Sequence, residues 1–142
     1  MKSRFRILAT SLIAVISCLG AAISSNAQVS TGSSPTTAKW VGVWQGELEG
    51  FPGVVLTLGD DLGDLSGTIV FTAIRDGAVA GHATHVILHP HLDGNGFSFQ
   101  VKRPGHENDI LDMTLNLSGE RKGQLVCAKC DAAPSIAMEK IP

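Results

Sequence analysis

The sequence contains no tyrosine, only 5 Phe and 2 Trp, and charged residues fill just 17% of its 142 positions. Beyond Lys2, Arg4 and Arg6 no basic cluster forms. That removes the electrostatic footprint of a nucleic-acid partner or an anionic membrane surface. From Gln28 onward 8 Lys and Arg stand against 13 Asp and Glu, so this part of the chain carries a net charge near −5. Also missing are a sustained 3.6-residue apolar period with a cap, which argues against helix, and the Gly-x-Ser-x-Gly, phosphate-loop and His-Glu-x-x-His motifs. No catalytic residue is assigned, and no cofactor is expected. Low charge combined with many β-branched residues argues against disorder.

Residues 1–27 have the build of an export signal: Lys2, Arg4 and Arg6, an apolar stretch from Ile7 to Ile23, then Ser24-Ser25-Asn26-Ala27 with small residues flanking a cleavage site. Cleavage after Ala27 is expected, with a periplasmic or extracellular destination. Two alternatives are a lipoprotein signal at Val15-Ile16-Ser17-Cys18, with Cys18 as the lipid-bearing residue, and a retained anchor. The second is disfavoured because 17 interrupted residues are short for a membrane core. Residues 28–39, rich in Ser, Thr and Gly, read as a flexible leader, and residues 40–142 as one domain. No stable membrane insertion of that domain is expected.

From Trp40 onward apolar residues recur with period two, interrupted by turn-forming clusters. Eight strands are expected, near residues 40–48, 54–58, 65–74, 84–89, 97–101, 111–117, 124–127 and 135–141. Expected turns include Phe51-Pro52-Gly53, residues 59–64, Arg75-Asp76-Gly77, Asp93-Gly94-Asn95-Gly96 and Arg103-Pro104-Gly105. Links this short favour an antiparallel meander. Closing the meander removes exposed sheet edges, so an eight-stranded up-and-down barrel is expected, with a two-sheet sandwich as the alternative. A monomer is expected.

The Gly42-Val43-Trp44 sequence in the first strand resembles the lipocalin and calycin group of small barrels. A similar pattern, Trp44-Gln45-Gly46-Glu47-Leu48, then Val54, Leu56 and Leu58, then Leu65-Ser66-Gly67-Thr68, occurs in small β domains of exported bacterial proteins. The resemblance implies that Trp44 closes the base of a cup; the chain departs from it in carrying Lys140 where the group has an Arg near the chain end that covers the Trp. The chain also departs from the group in having no N-terminal helix and no Tyr. The expected inner face is bulky: Trp40, Trp44, Leu56, Ile69, Phe71, Val86, Leu88, Phe97, Phe99, Leu111, Met113 and Leu115. An interior of this size is either filled by its side chains or holds one small ligand. For the second case the candidate wall residues are Trp40, Trp44, Phe71, Phe97, Phe99 and Met113. With almost no polar group on that face, the ligand would be apolar.

Four of the five His fall between residues 82 and 91. His85, His89 and His91 share odd positions, and alternate side chains on a strand can converge on a divalent metal. Pro90 and the intervening Ile87 argue instead for solvated histidines on the outer face. Asp60, Asp61 and Asp64 do not have the spacing of a calcium loop and read as a turn. Cys127-Ala128-Lys129-Cys130 lacks the following helix that would activate a redox thiol, so a structural disulfide is expected. The function expected is that of an exported binding module, holding a small apolar ligand within the barrel or a protein partner on its surface. The alternatives are an inhibitor of an extracellular hydrolase, acting through the leader, and a metal protein built on the His row.

Overall fold

The computed structural model describes residues 36–130 and 135–142, so the expected export signal and most of the leader lie outside the described residues. It contains nine strands: β1 (Gly42–Leu48), β2 (Phe51–Asp61), β3 (Asp64–Arg75), β4 (Ala78–Val86), β5 (Leu88–Asp93), β6 (Gly96–Arg103), β7 (His106–Leu117), β8 (Lys122–Cys127) and β9 (Ser135–Ile141). No helix occurs among the described residues. The strands form one antiparallel sheet, ordered β4-β3-β2-β1-β9-β8-β7-β6-β5 and curled into a half-barrel. Its first and last strands meet in the middle, where Trp44 pairs with Lys140 and Gly46 with Met138.

The ninth strand comes from one break. The expected strand at residues 84–89 splits at Ile87: β4 pairs with β3 (Thr68 opposite Val86), whereas β5 pairs with β6 (Leu88 opposite Gln100). β4 and β5 run in the same direction, because eight antiparallel steps separate them in the sheet. The Ile87 amide still donates to the Gly67 carbonyl at 3.1 Å, and its side chain is buried. This corrects the expected inner face. Val86 is 65% exposed and Leu88 only half-buried, because Ile87, not its neighbours, turns inward.

Turn chemistry accounts for most of the hairpins. Asp76-Gly77 takes positive φ at both residues (54° and 70°), as a tight hairpin with the right-handed sheet twist requires. Pro104-Gly105, with Gly105 at φ 77°, suits a turn whose proline presets its first central residue. The expected Phe51-Pro52-Gly53 turn is displaced: Glu49 (φ 53°) and Gly50 (φ 80°) reverse the chain, and Phe51 opens β2. A register shift at Gly46/Glu47 lets Pro52 sit opposite Glu47. Proline is tolerated at such an irregularity because it donates no ladder hydrogen bond.

The core is the concave face of the sheet. Trp40, Trp44, Leu56, Ile69, Phe97, Val101, Leu115 and Leu125 are all essentially buried. Trp40, Phe97 and Phe99 stack in series, with centroid separations of 5.9 and 5.3 Å. Gly67 is required by close approach, since a Cβ there would overlap the Thr57 carbonyl oxygen across the β2–β3 ladder.

Candidate functional site

One end of the curled sheet is sealed by the segment before β1. Thr36–Trp40 forms a turn in which the Trp40 and Val41 amides donate to the Thr37 carbonyl at 2.8 and 3.3 Å. Thr37 is buried, and its hydroxyl donates to the Asp60 carboxylate, which also accepts the Gly63 amide at 2.6 Å. The last residues of the expected leader are therefore fastened to the β2–β3 hairpin. Behind this turn the Trp44 indole Nε1 donates to the Trp40 carbonyl at 2.8 Å. Lys140 lies over the Trp44 ring at 5.7 Å and donates to the Lys39 carbonyl at 3.3 Å. Gly42 makes room for it: a Cβ there would sit 2.7 Å from Lys140 Cε. The Gly-x-Trp spacing is thus explained by a lysine stem passing over the glycine and an ammonium group resting on the indole.

The opposite end holds a cavity of ≈ 180 Å³, lined by Leu48, Gly53, Val54, Phe71, Thr72, Met113, Leu125, Cys127, Cys130 and Ile136. No charged side chain borders it. Its one hydroxyl, on Thr72, already donates to the Pro52 carbonyl at 2.7 Å. Its volume and apolar lining match a benzene-sized apolar guest, although the cavity is partly open to solvent. A larger concavity of ≈ 490 Å³ lies over β1, β9 and β8, bordered by Gln45, Glu47, Lys122 and Glu139. Its charged and polar border gives an apolar molecule little reason to leave water.

Of the six residues expected to line a ligand cup, Phe71 and Met113 border the cavity. Trp40, Trp44, Phe97 and Phe99 are at most 2% exposed and do not border the cavity. The wall also includes Leu48, Val54, Leu125 and Ile136, and the disulfide.

Cys127 and Cys130 are bonded, with Cα atoms 5.4 Å apart. Their loop is held to the β6–β7 side of the sheet. Ala128 donates its amide to the Asp112 carbonyl at 3.0 Å, Arg103 donates to the Lys129 carbonyl at 3.1 Å, and Lys129 pairs with Asp112 at 3.7 Å. Closing so short a loop stabilises the fold by about 2 kcal/mol. Reduction is expected to lower the unfolding free energy by about that amount in a urea titration, with two thiols becoming alkylatable. An oxidised sample that alkylates at both cysteines without reductant would contradict the pairing.

The histidine row does not assemble. His85 lies opposite Ile69 on the concave face, 6.0 Å from the Phe71 ring, and its Nε2 is buried without a hydrogen-bond partner. The outer-face expectation is thus corrected for His85, because the register of β4 against β3 turns it inward. His89 and His91 are exposed, and His89 has a left-handed backbone (φ 48°). Among the described residues no three His, Cys, Asp or Glu side chains come together as a metal-binding group. The same residues contain no helix long and apolar enough to cross a membrane.

Comparison of the chain with models of known protein families, with curated proteins and with solved structures found no match.

Proposed function

We propose that this domain is an exported binding module that holds one small, uncharged, apolar molecule at the open end of its curled sheet. The observation that carries the reading is the ≈ 180 Å³ cavity, whose wall of Leu48, Val54, Phe71, Met113, Leu125 and Ile136 offers no charge and no free hydroxyl. The sealed end supports it. A turn, two indoles and a lysine close one end, and the apolar cavity lies at the other, partly open to solvent. In this reading β4 and β5 act as one bent strand that passes from β3 to β6, and the domain is a calycin-like barrel of eight strand positions. The Lys140–Trp44 contact and the Gly42 clearance beneath it support the kinship. The disulfide supports an oxidising destination, in keeping with an export signal.

The guest is compact. A cavity this size accommodates a single ring or a short branched chain, and a long acyl chain or a sterol exceeds it. Native mass spectrometry of the protein purified from its own cell envelope is the test. A bound apolar small molecule, lost when the protein is denatured, is expected. Protein recovered bare from that source, with no uptake of added toluene, would overturn the reading.

A further inference from the structure

The wall of the ≈ 180 Å³ cavity is apolar, but it is not chemically uniform. Cys127, at the end of β8, pairs with Met113 of β7, and Cys130 is bonded to Cys127. All three border the cavity, so their sulfur-bearing side chains form one patch of its wall. Of the sulfur-bearing residues among those described, Met138 alone does not border it. Phe71 enters the same wall from β3, which β2, β1 and β9 separate from β8 in the sheet order. Its ring is set against the His85 imidazole, with centroids 6.0 Å apart and planes at 56°.

Sulfur and an aromatic ring both discriminate between guests that the hydrophobic effect treats alike. A divalent sulfur is polarisable, and its lone-pair density attracts the positively polarised edge of an aromatic ring. Phe71 makes a similar choice, because the negative face of one ring meets the positive edge of another in a tilted pair. A saturated ring has neither a polarised edge nor a π face. The aliphatic part of the wall, Leu48, Val54, Leu125 and Ile136, rewards either kind of guest in proportion to the apolar area it covers. Any preference between the two therefore comes from the sulfur patch and from Phe71.

We propose that the guest of this cavity is aromatic: a single ring with short apolar substituents, held against Phe71 and the sulfur patch of Met113, Cys127 and Cys130. This assignment rests on the apolar site proposed above and narrows its occupant from compact apolar molecules in general to arenes. It also gives the disulfide a second role. Besides closing the loop after β8, it is part of the surface that the guest touches.

The test compares toluene with methylcyclohexane, which share a carbon skeleton, by titration calorimetry of the oxidised protein. Each affinity is expressed relative to that compound's own partition from water into hexadecane, which removes the difference in hydrophobic driving force. On this scale toluene is expected to bind about tenfold more tightly, equivalent to about 1.4 kcal/mol. Met113→Leu conserves volume and apolarity but removes a sulfur from the wall, and should lower the ratio about threefold. Met138→Leu removes the sulfur that does not border the cavity and should leave the ratio unchanged. A ratio of one or less in the parent overturns the proposal while the apolar site stands. So does an unchanged ratio in folded Met113→Leu, or an equal fall in Met138→Leu. If Met113→Leu fails to fold, the ratio in the parent decides alone. If neither hydrocarbon binds saturably, the apolar site itself fails, and its aromatic occupant with it.

Discussion

Trp44→Ala is expected to remove about 3–5 kcal/mol of stability, a large part of the roughly 5–15 kcal/mol that a domain of this size possesses. Trp44 is fully buried at the seam between β1 and β9, so its truncation leaves a void that rigid neighbouring strands cannot collapse to fill. Two further losses add to the cavity. The Trp40 carbonyl loses its indole donor, leaving a buried acceptor unpaired, and Lys140 loses the ring beneath its ammonium group. Trp44→Phe separates these effects, since it restores much of the packing but not the donor, and should recover more than half of the loss. Lys140→Ala, which removes the half-buried cation, its stem and its hydrogen bond to the Lys39 carbonyl, should cost about 0.5–1 kcal/mol. Urea titrations followed by far-UV circular dichroism rank the three. An alanine variant as stable as the parent would show that the sealed end does not hold the sheet together.

The second large effect concerns binding. Ile136→Trp is expected to weaken binding of a small apolar probe such as toluene by about 100-fold, equivalent to about 2.7 kcal/mol. Ile136 lines the cavity at its β9 wall, and an indole in its place occupies the space the guest would take. Overpacking should cost the fold about 1–3 kcal/mol, which leaves a folded domain in which to measure the loss. Phe99→Leu provides the contrast. Phe99 is buried and does not border the cavity, so this change should lower stability and leave probe affinity nearly unaltered. Affinity loss in Phe99→Leu equal to that in Ile136→Trp would mean that the guest occupies the sealed end instead.

Period-two alternation made most of the strands legible in the sequence, because inward and outward positions differ clearly in polarity along β3, β6 and β7. It failed at Val86-Ile87-Leu88. Three consecutive apolar residues fit either parity there, and the choice is made by tertiary pairing as the chain leaves β3 for β6. The same ambiguity sent His85 to the wrong face. Phe51-Pro52-Gly53 reads as a turn from its proline and glycine, yet Glu49-Gly50 makes the reversal, with a glutamate in a conformation that its type seldom adopts. The Lys140–Trp44 contact comes from the pairing of β1 with β9, which brings the chain end beside Trp44, and strand alternation alone does not reveal that pairing.

The candidate site was less legible for a different reason. Large aromatics are equally good at filling an interior and at lining one, and sequence alone does not divide those roles. Trp40, Phe97 and Phe99 stack on one another and consume their own surface. Phe71 and Met113, nearer the open end, retain a face toward the cavity. The disulfide reads in sequence as a staple across a turn, and its position in the wall depends on where the turn after β8 meets β7.

The central claim, an apolar site at the open end, is tested most directly by methyl-resolved NMR during a toluene titration. Saturable shifts confined to methyl groups of Leu48, Val54, Met113, Leu125 and Ile136, with Leu56 and Leu115 unmoved, are the expected result. No saturable shift, or shifts centred on the residues around Trp40 and Trp44, would contradict it.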